Sequence, residues 1–206
     1  MRRIAESTVR RLSLYLSFLE EFETQGTDTV SSEALALRGR TTSAQVRKDL
    51  SHFGSFGKRG LGYGVPQLAE RLRSILGLDR RYRMVVIGAG KLGSALVQHR
   101  GFSERGFDVV AIFDNDPAKI GRALDGITIL DVGRLEEYLG QTPADIGVIV
   151  TPADPAQSVA DLLVATKVRA ILNFAPAQLS VPHDVALRNV NLSLELEALA
   201  FTLADY

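Results

Sequence analysis

Three observations predict an α/β chain in two parts, a small helical unit followed by a parallel sheet. The first 80 or so residues carry short segments with helical apolar spacing and then a glycine-rich hairpin. Behind them a short apolar strand runs into Gly88-Ala89-Gly90-Lys91-Leu92-Gly93 and a further helical stretch. The charges divide along nearly the same line: residues 1–83 hold 15 Lys/Arg against 9 Asp/Glu and residues 84–206 hold 9 against 15, so a net charge of zero conceals +6 and −6.

At 206 residues the chain is long for one compact core and comfortable for two. An apolar fraction of 46% with 23% charged residues is that of a folded protein and excludes disorder. No apolar run approaches the ~18 residues of a membrane span, and Met1-Arg2-Arg3 leads into an amphipathic pattern rather than a signal core. A cytoplasmic protein that binds no membrane is expected. The absence of Cys excludes disulfides, thiol switches, zinc thiolates and iron–sulfur clusters, and His52, His99 and His183 have no metal-ligand spacing, so no metal is expected either. Any redox response would have to run through a bound molecule.

Within the basic part, Ser7 to Phe22 places Val9, Leu12, Tyr15, Leu16, Leu19 and Phe22 on one helical stripe, with Gly26 as the stop. A second short helix fits Ser31/Ser32 as cap through Leu37, closed by Gly39. Thr42-Ser-Ala-Gln45 reads as a capping box opening a third, from Thr42 to about His52. That helix turns Val46, Leu50 and Phe53 inward and leaves Gln45, Arg47, Lys48 and Ser51 elsewhere on its surface. Arg pairs with guanine or phosphate, Gln with adenine, and Lys and Ser with phosphates or base edges, as a helix laid in a major groove requires.

Five glycines and two adjacent cations then fall between Gly54 and Gly64, the pattern of a β-wing with Arg59 at a tip able to enter a narrow minor groove. A nucleotide-binding loop is the competing reading, but no P-loop Gly-Lys-Ser/Thr ending is present. Val65-Pro66 is expected to end the wing and Gln67–Leu76 to form a fourth helix, with a boundary near residue 80. The predicted DNA-facing set is Gln45, Arg47, Lys48, Ser51 and Phe53 from the third helix and Gly57, Lys58, Arg59, Gly60, Gly62 and Tyr63 from the wing. The fold expected for residues 1–80 is a winged helix-turn-helix.

In the acidic part the strand Arg83–Gly88 enters a glycine turn in which each glycine has a reason. The first permits the tight turn, the second admits a pyrophosphate, and the third lets helix pack on strand. Gly88, Ala89, Gly90, Lys91, Leu92 and Gly93 are therefore cofactor candidates. A second strand, Asp108–Phe113, ends at Asp114, 21 residues beyond Gly93. Its carboxylate would accept from an adenosine 2′-hydroxyl and repel a 2′-phosphate, which favours NAD(H) over NADP(H). Further strands at 127–130, 146–151 and 170–174, separated by helices near 132–139 and 155–165, complete a Rossmann-type doubly wound parallel sheet over residues 81–190. Thr151-Pro152 and Asn173, Ala175 and Pro176 follow strand ends, where either ligands bind or proline simply stops a strand. A dehydrogenase is not expected, because the roughly 125 residues after the boundary leave no room for a substrate domain and the three histidines form no acid–base constellation.

Together, Arg47-Lys-Asp-Leu-Ser-His-Phe-Gly54, Gly57-Lys-Arg-Gly-Leu-Gly-Tyr63, Gly88-Ala-Gly-Lys-Leu-Gly-Ser-Ala95 and Ile171-Leu-Asn-Phe-Ala-Pro176 resemble the Rex family of redox-sensing transcriptional repressors. The resemblance spans nearly the whole chain. It implies a homodimer on palindromic operator DNA, released by NADH with NAD+ opposing the release, and a terminal helix exchanged between subunits. Residues 191–206, with Leu192, Leu194, Leu196, Leu199, Phe201 and Leu203, would supply that helix. Several positions depart from the family's pattern. An arginine of the first helix is Ser17 here, an aspartate before the terminal helix is Asn191, a tyrosine after the first Rossmann helix is His99, and a phenylalanine near the nicotinamide is Leu192. The neutral Ser17/Asn191 pair cannot form an ion pair, so a weaker discrimination between NADH and NAD+ is expected. By the resemblance, His99 joins the cofactor set.

Overall fold

A computed structural model describes residues 4–54, 56 and 61–204. The chain divides after Arg80 into two compact units.

The first unit comprises α1 (Glu6–Thr24), β1 (Thr29–Val30), α2 (Ser32–Arg38), α3 (Ser43–Ser51), β2 (Tyr63–Gly64) and α4 (Val65–Ile75). Leu12, Tyr15, Leu16 and Leu19 of α1 lie in one stripe and close a core with Leu35, Val46, Leu50, Leu68 and Leu72. The stop at Gly26 has a definite geometry. Gly26 takes φ +70°, its N–H donates to Glu23 O at 3.0 Å, and the next N–H, of Thr27, reaches back to Phe22 O at 2.9 Å. Ser31 caps α2 through the Ala34 N–H, and Thr42 caps α3 through the Gln45 N–H. β2 stops at Gly64, where Val65-Pro66 was expected to end the wing, and the same two residues already open α4, two positions before the expected start at Gln67, because proline is well placed in a first turn, where its missing N–H has no helical acceptor to serve. The antiparallel ladder pairing Thr29 with Gly64 and Val30 with Tyr63 closes the base of the wing.

The second unit runs β3 (Tyr82–Ile87), α5 (Lys91–Val97), α6 (Arg100–Glu104), β4 (Phe107–Asp114), β5 (Ala123–Leu124), β6 (Ile127–Asp131), α7 (Leu135–Gln141), β7 (Ile146–Ile149), α8 (Ala153–Ala165), β8 (Ala170–Asn173), β9 (Ala186–Asn189) and α9 (Leu192–Ala204). The sheet order is β5-β6-β4-β3-β7-β8-β9, parallel except for the β5–β6 hairpin. Its six parallel strands follow the order of a Rossmann sheet, whose direction of winding reverses between β3 and β7. Alternation along β3 splits two cores: Val85 and Ile87 pack with Leu135, Leu139 and Leu163 of α7 and α8, while Met84 and Val86 pack with Val97 of α5. The helix expected near 132–139 is a 3-10 turn at Val132–Arg134 followed by α7. α6, β5 and β9 were not anticipated.

The glycines of this unit separate by what surrounds them. A Cβ at Gly93 would lie 1.9 Å from the backbone oxygen of Gly88, whereas at the exposed Gly140 in α7 it would meet nothing within 4 Å among the described residues. Gly93→Ala is therefore expected to destabilise the second unit by about 2–4 kcal/mol. Gly140→Ala should stabilise it by about 0.5–1 kcal/mol. Thermal melts of the two full-length variants should move in opposite directions.

Candidate DNA-binding and nucleotide-binding sites

Helix α3, the expected DNA-facing helix, is held from two sides. Asp49 is 1% exposed; its carboxylate accepts Arg11 Nε and Nη2 at 2.6 and 2.7 Å, Tyr15 Oη at 3.1 Å and Gln45 Nε2 at 2.8 Å. Burial alone would raise its pKa, but the hydrogen bonds from Arg11, Gln45 and Tyr15 outweigh it and hold the carboxyl below the usual range. Burial and the same carboxylate push the Tyr15 hydroxyl up to about 12. On the other side, Arg47 Nη1 donates to Ser32 Oγ at 2.9 Å and lies 3.6 Å from Glu33 Oε1, which ties α3 to α2.

The members of the expected DNA-facing set differ in their surroundings. Arg47, Lys48 and Ser51 are exposed on α3, and Ser51 Oγ turns back to Lys48 O at 2.7 Å. Gln45 is instead engaged by Asp49, so the capping box is only half made: Thr42 accepts the Gln45 N–H, but the Gln45 side chain does not return the bond. Phe53 is half-buried against the core. Gly62, at φ +80°, is required by β1, since a Cβ there would lie 2.5 Å from Val30 O. Tyr63 is buried beside Val30. Gly62 and Tyr63 thus form the foundation of the wing, while Gly57, Lys58, Arg59 and Gly60 lie outside the described residues.

The second site gathers at the carboxyl end of the sheet, where the winding reverses. Gly88, at φ +111°, is pressed against the end of β7: a Cβ would lie 2.8 Å from Val150 O. Around Gly90 nothing described lies within 4 Å of such an atom, so that glycine keeps a space open. Gly90 also opens α5 without a side-chain cap, which leaves the first-turn N–H groups at Lys91 and Leu92 for another acceptor. Asp114 is almost wholly buried and accepts Ala89 N at 2.7 Å, Asp116 N at 2.9 Å and Lys119 Nζ at 3.0 Å. Burial would raise its pKa, and those bonds outweigh the effect and lower it. The sequence reading gave Ala89 and Asp114 to the ligand; in the structure the Ala89 N–H and Asp114 Oδ2 also bond each other.

The strand-end residues also divide. Thr151 and Pro152 sit at the end of β7, with Thr151 Oγ1 donating to Pro152 O at 3.1 Å. Asn173 is a tie within the protein: its Nδ2 donates to Ala177 O at 3.0 Å and Asn189 Oδ1 at 2.9 Å, and its Oδ1 accepts the N–H of the buried Ala175 at 2.9 Å. Pro176 beyond it is exposed. His99 is not brought to the glycine turn; it lines a separate cavity of about 430 Å³ with Arg100, Ser103 and Asp108, by the amino-terminal ends of β4 and β6. Ser17 donates to Leu14 O at 2.9 Å, and Asn191 accepts the Ser193 N–H at 3.0 Å, so both neutral residues have local partners.

Two features of these candidate sites escaped the sequence reading. The Arg11–Asp49 pair had a signal, since Asp49 shares the inward face of Val46, Leu50 and Phe53 and a buried acid needs a partner. Lys119 had none beyond lying five residues after Asp114.

The fold and its two sites define a winged-helix regulator joined to a Rossmann-type nucleotide-binding unit. Residues 3–51 match the putative DNA-binding protein N-terminus family, and residues 79–177 match the CoA binding domain family. The redox-sensing transcriptional repressor Rex of Syntrophomonas wolfei is 50% identical over 98% of this chain and 96% of its own. That of Carboxydothermus hydrogenoformans is 48% identical over 98% and 97%. Among solved structures, a Rex-family repressor in complex with NAD+ and operator DNA superposes with a TM-score of 0.95 at 38% identity, covering all of this chain and 94% of its own. The same repressor in complex with NADH gives 0.91 at 36%, covering all of this chain and 96% of its own. This chain belongs to the Rex family of redox-sensing transcriptional repressors.

Asp49→Asn removes the charge that Arg11, Tyr15 and Gln45 converge on, at an expected cost of about 2–3 kcal/mol, discounted because Arg11 is partly exposed. Because the folded-state pKa is depressed, the stabilisation is fully present above the unfolded value near 4 and is lost as pH falls through the folded value. Thermal melts of the first unit from about pH 7 to 3 should show a steeper loss in the wild type than in Asp49→Asn.

Proposed function

We propose that this repressor seats Arg47, Lys48 and Ser51 of α3 on palindromic operator DNA, flanked by the wing, and binds NAD(H) at the glycine turn of the second unit to report the NADH/NAD+ balance. The observation that carries the nucleotide reading is the Gly88–Gly93 turn at the point where the sheet's winding reverses, with Gly90 keeping space open beside Asp114. The related complexes with NAD+, NADH and operator DNA support the same ligands. With a repressor's work to do in contact with DNA, the protein is read as cytoplasmic; no described helix is long and apolar enough to cross a membrane.

A homodimer is part of this reading. In α9, Leu192, Leu194, Leu196, Leu199, Phe201 and Leu203 are each 58–78% exposed, which a lone chain does not sustain in water. An apolar groove of about 380 Å³ lined by Met84, Val86, Phe102, Phe107, Val148 and Leu172 opens over the core on the same unit. A two-fold assembly that exchanges residues 191–206 buries such surface and presents two winged helices to two half-sites.

Three measurements test the reading. Arg47→Ala should cost about 1–3 kcal/mol of operator affinity if it reads a base, and Lys48→Ala should lower the salt slope by about one unit if it meets a phosphate; unchanged affinity in the double variant refutes the assignment. Gly90→Val should abolish NADH binding in calorimetry while leaving the thermal melt and operator affinity near wild type, because a Cβ there points into open space among the described residues and the added bulk falls where the pyrophosphate would lie. Light scattering should give a dimer, with monomers or aggregates after removal of residues 192–206.

A further inference from the structure

We propose that Lys119 is a nucleotide-contacting residue that sets how strongly the site separates nucleotides with and without a 2′-phosphate; this rests on the dinucleotide reading of the Gly88–Gly93 turn. The sequence alone gave that discrimination to Asp114. In the structure the Asp114 side chain is only 6% exposed, while that of Lys119 is 36% exposed. Both Asp114 oxygens are engaged, Oδ2 by Ala89 N–H and the Lys119 ammonium and Oδ1 by Asp116 N–H. A carboxylate offers about four acceptor positions, so roughly one remains for a ribose hydroxyl.

The ammonium is the better-presented group. Its nitrogen lies 3.0 Å from Asp114 Oδ2 and 3.7 Å from Asp116 Oδ2. Of its three N–H donors the 3.0 Å bond to Asp114 uses one, and Asp116 lies beyond hydrogen-bond distance, so a donor is left for a hydroxyl or phosphate oxygen. Electrostatically, the repulsion that a lone Asp114 would exert on a 2′-phosphate is offset at 3 Å by a cation nearer to solvent. Asp116 supplies the residual negative charge that still favours the nucleotide without the phosphate. Lys119 thus both orients Asp114 and moderates its selectivity.

Calorimetric titration of the full-length protein with NADH and NADPH separates these roles. Lys119→Met should weaken NADH binding about tenfold, through a lost charge-assisted bond, and NADPH binding about a further tenfold, through uncompensated repulsion. Lys119→Gln, which keeps a donor without the charge, should hold NADH within about threefold of wild type yet lose NADPH as the Met variant does. Lys119→Arg should restore both. A purely structural role would lower both nucleotides equally in the Met and Gln variants; that result, or no change in either, overturns the proposal. Wild-type protein that binds neither nucleotide overturns the site reading itself, whereas wild-type binding with equal losses overturns only the role of Lys119.

Discussion

A buried carboxylate is tolerated only where donors surround it, and each unit of this chain is organised around one. Asp49 and Asp114 are 1% and 6% exposed, and each gathers partners that are distant in sequence: Arg11 and Tyr15 of α1 in one case, the glycine turn after β3 in the other. An orphaned acid at such depth is costly, so the elements carrying the donors are fixed in position. What is fixed is in both cases a piece of the candidate site, α3 in the first unit and the Gly88–Gly93 turn in the second. The polar network in each unit aligns the piece that has to fit a partner, while the apolar cores supply most of the cohesion.

Much of this was readable from residue order because its causes are local. Helix stripes, caps at Ser31 and Thr42, the glycine turn and the acid at the end of the second Rossmann strand all declare themselves within a few positions. Features whose cause is a distant neighbour did not. β9 carries Ala186-Leu-Arg-Asn189, with no β-branched residue and mostly exposed side chains, and is a strand because β8 lies beside it. α6 is five residues long and includes a glycine, too short to show a period. Val65-Pro66 reads as the end of the wing, and that it also starts α4 shows only in the first turn of that helix.

Polar residues were the hardest to place. Gln45 and Asn173 have the chemistry of readers and ligands, and both spend it inside the protein, on Asp49 and on the turn after β8. Arg47 is exposed and yet spends one bond on Ser32 of α2, while Lys48 beside it is exposed on the same helix. Composition does not separate these fates; the position of the next element does. Gly88, Gly90 and Gly93 are likewise one motif in sequence and three constraints in space, two imposed by backbone at close range and one by a space that the protein leaves unfilled.

The apolar surface of α9 has a kinetic side. If each subunit lends this helix to the other, separation requires both helices to be withdrawn into water at once, so partners chosen during synthesis stay together for the life of the protein. Altered and normal chains made at different times would then not mix, and each operator would answer to pairs whose composition was settled at birth. A free chain, meanwhile, displays six large apolar side chains on one helix, the kind of surface by which chaperones and proteases recognise an unassembled subunit. On the dimer reading, the helix would help to set how many repressor molecules a cell can keep as well as how they pair.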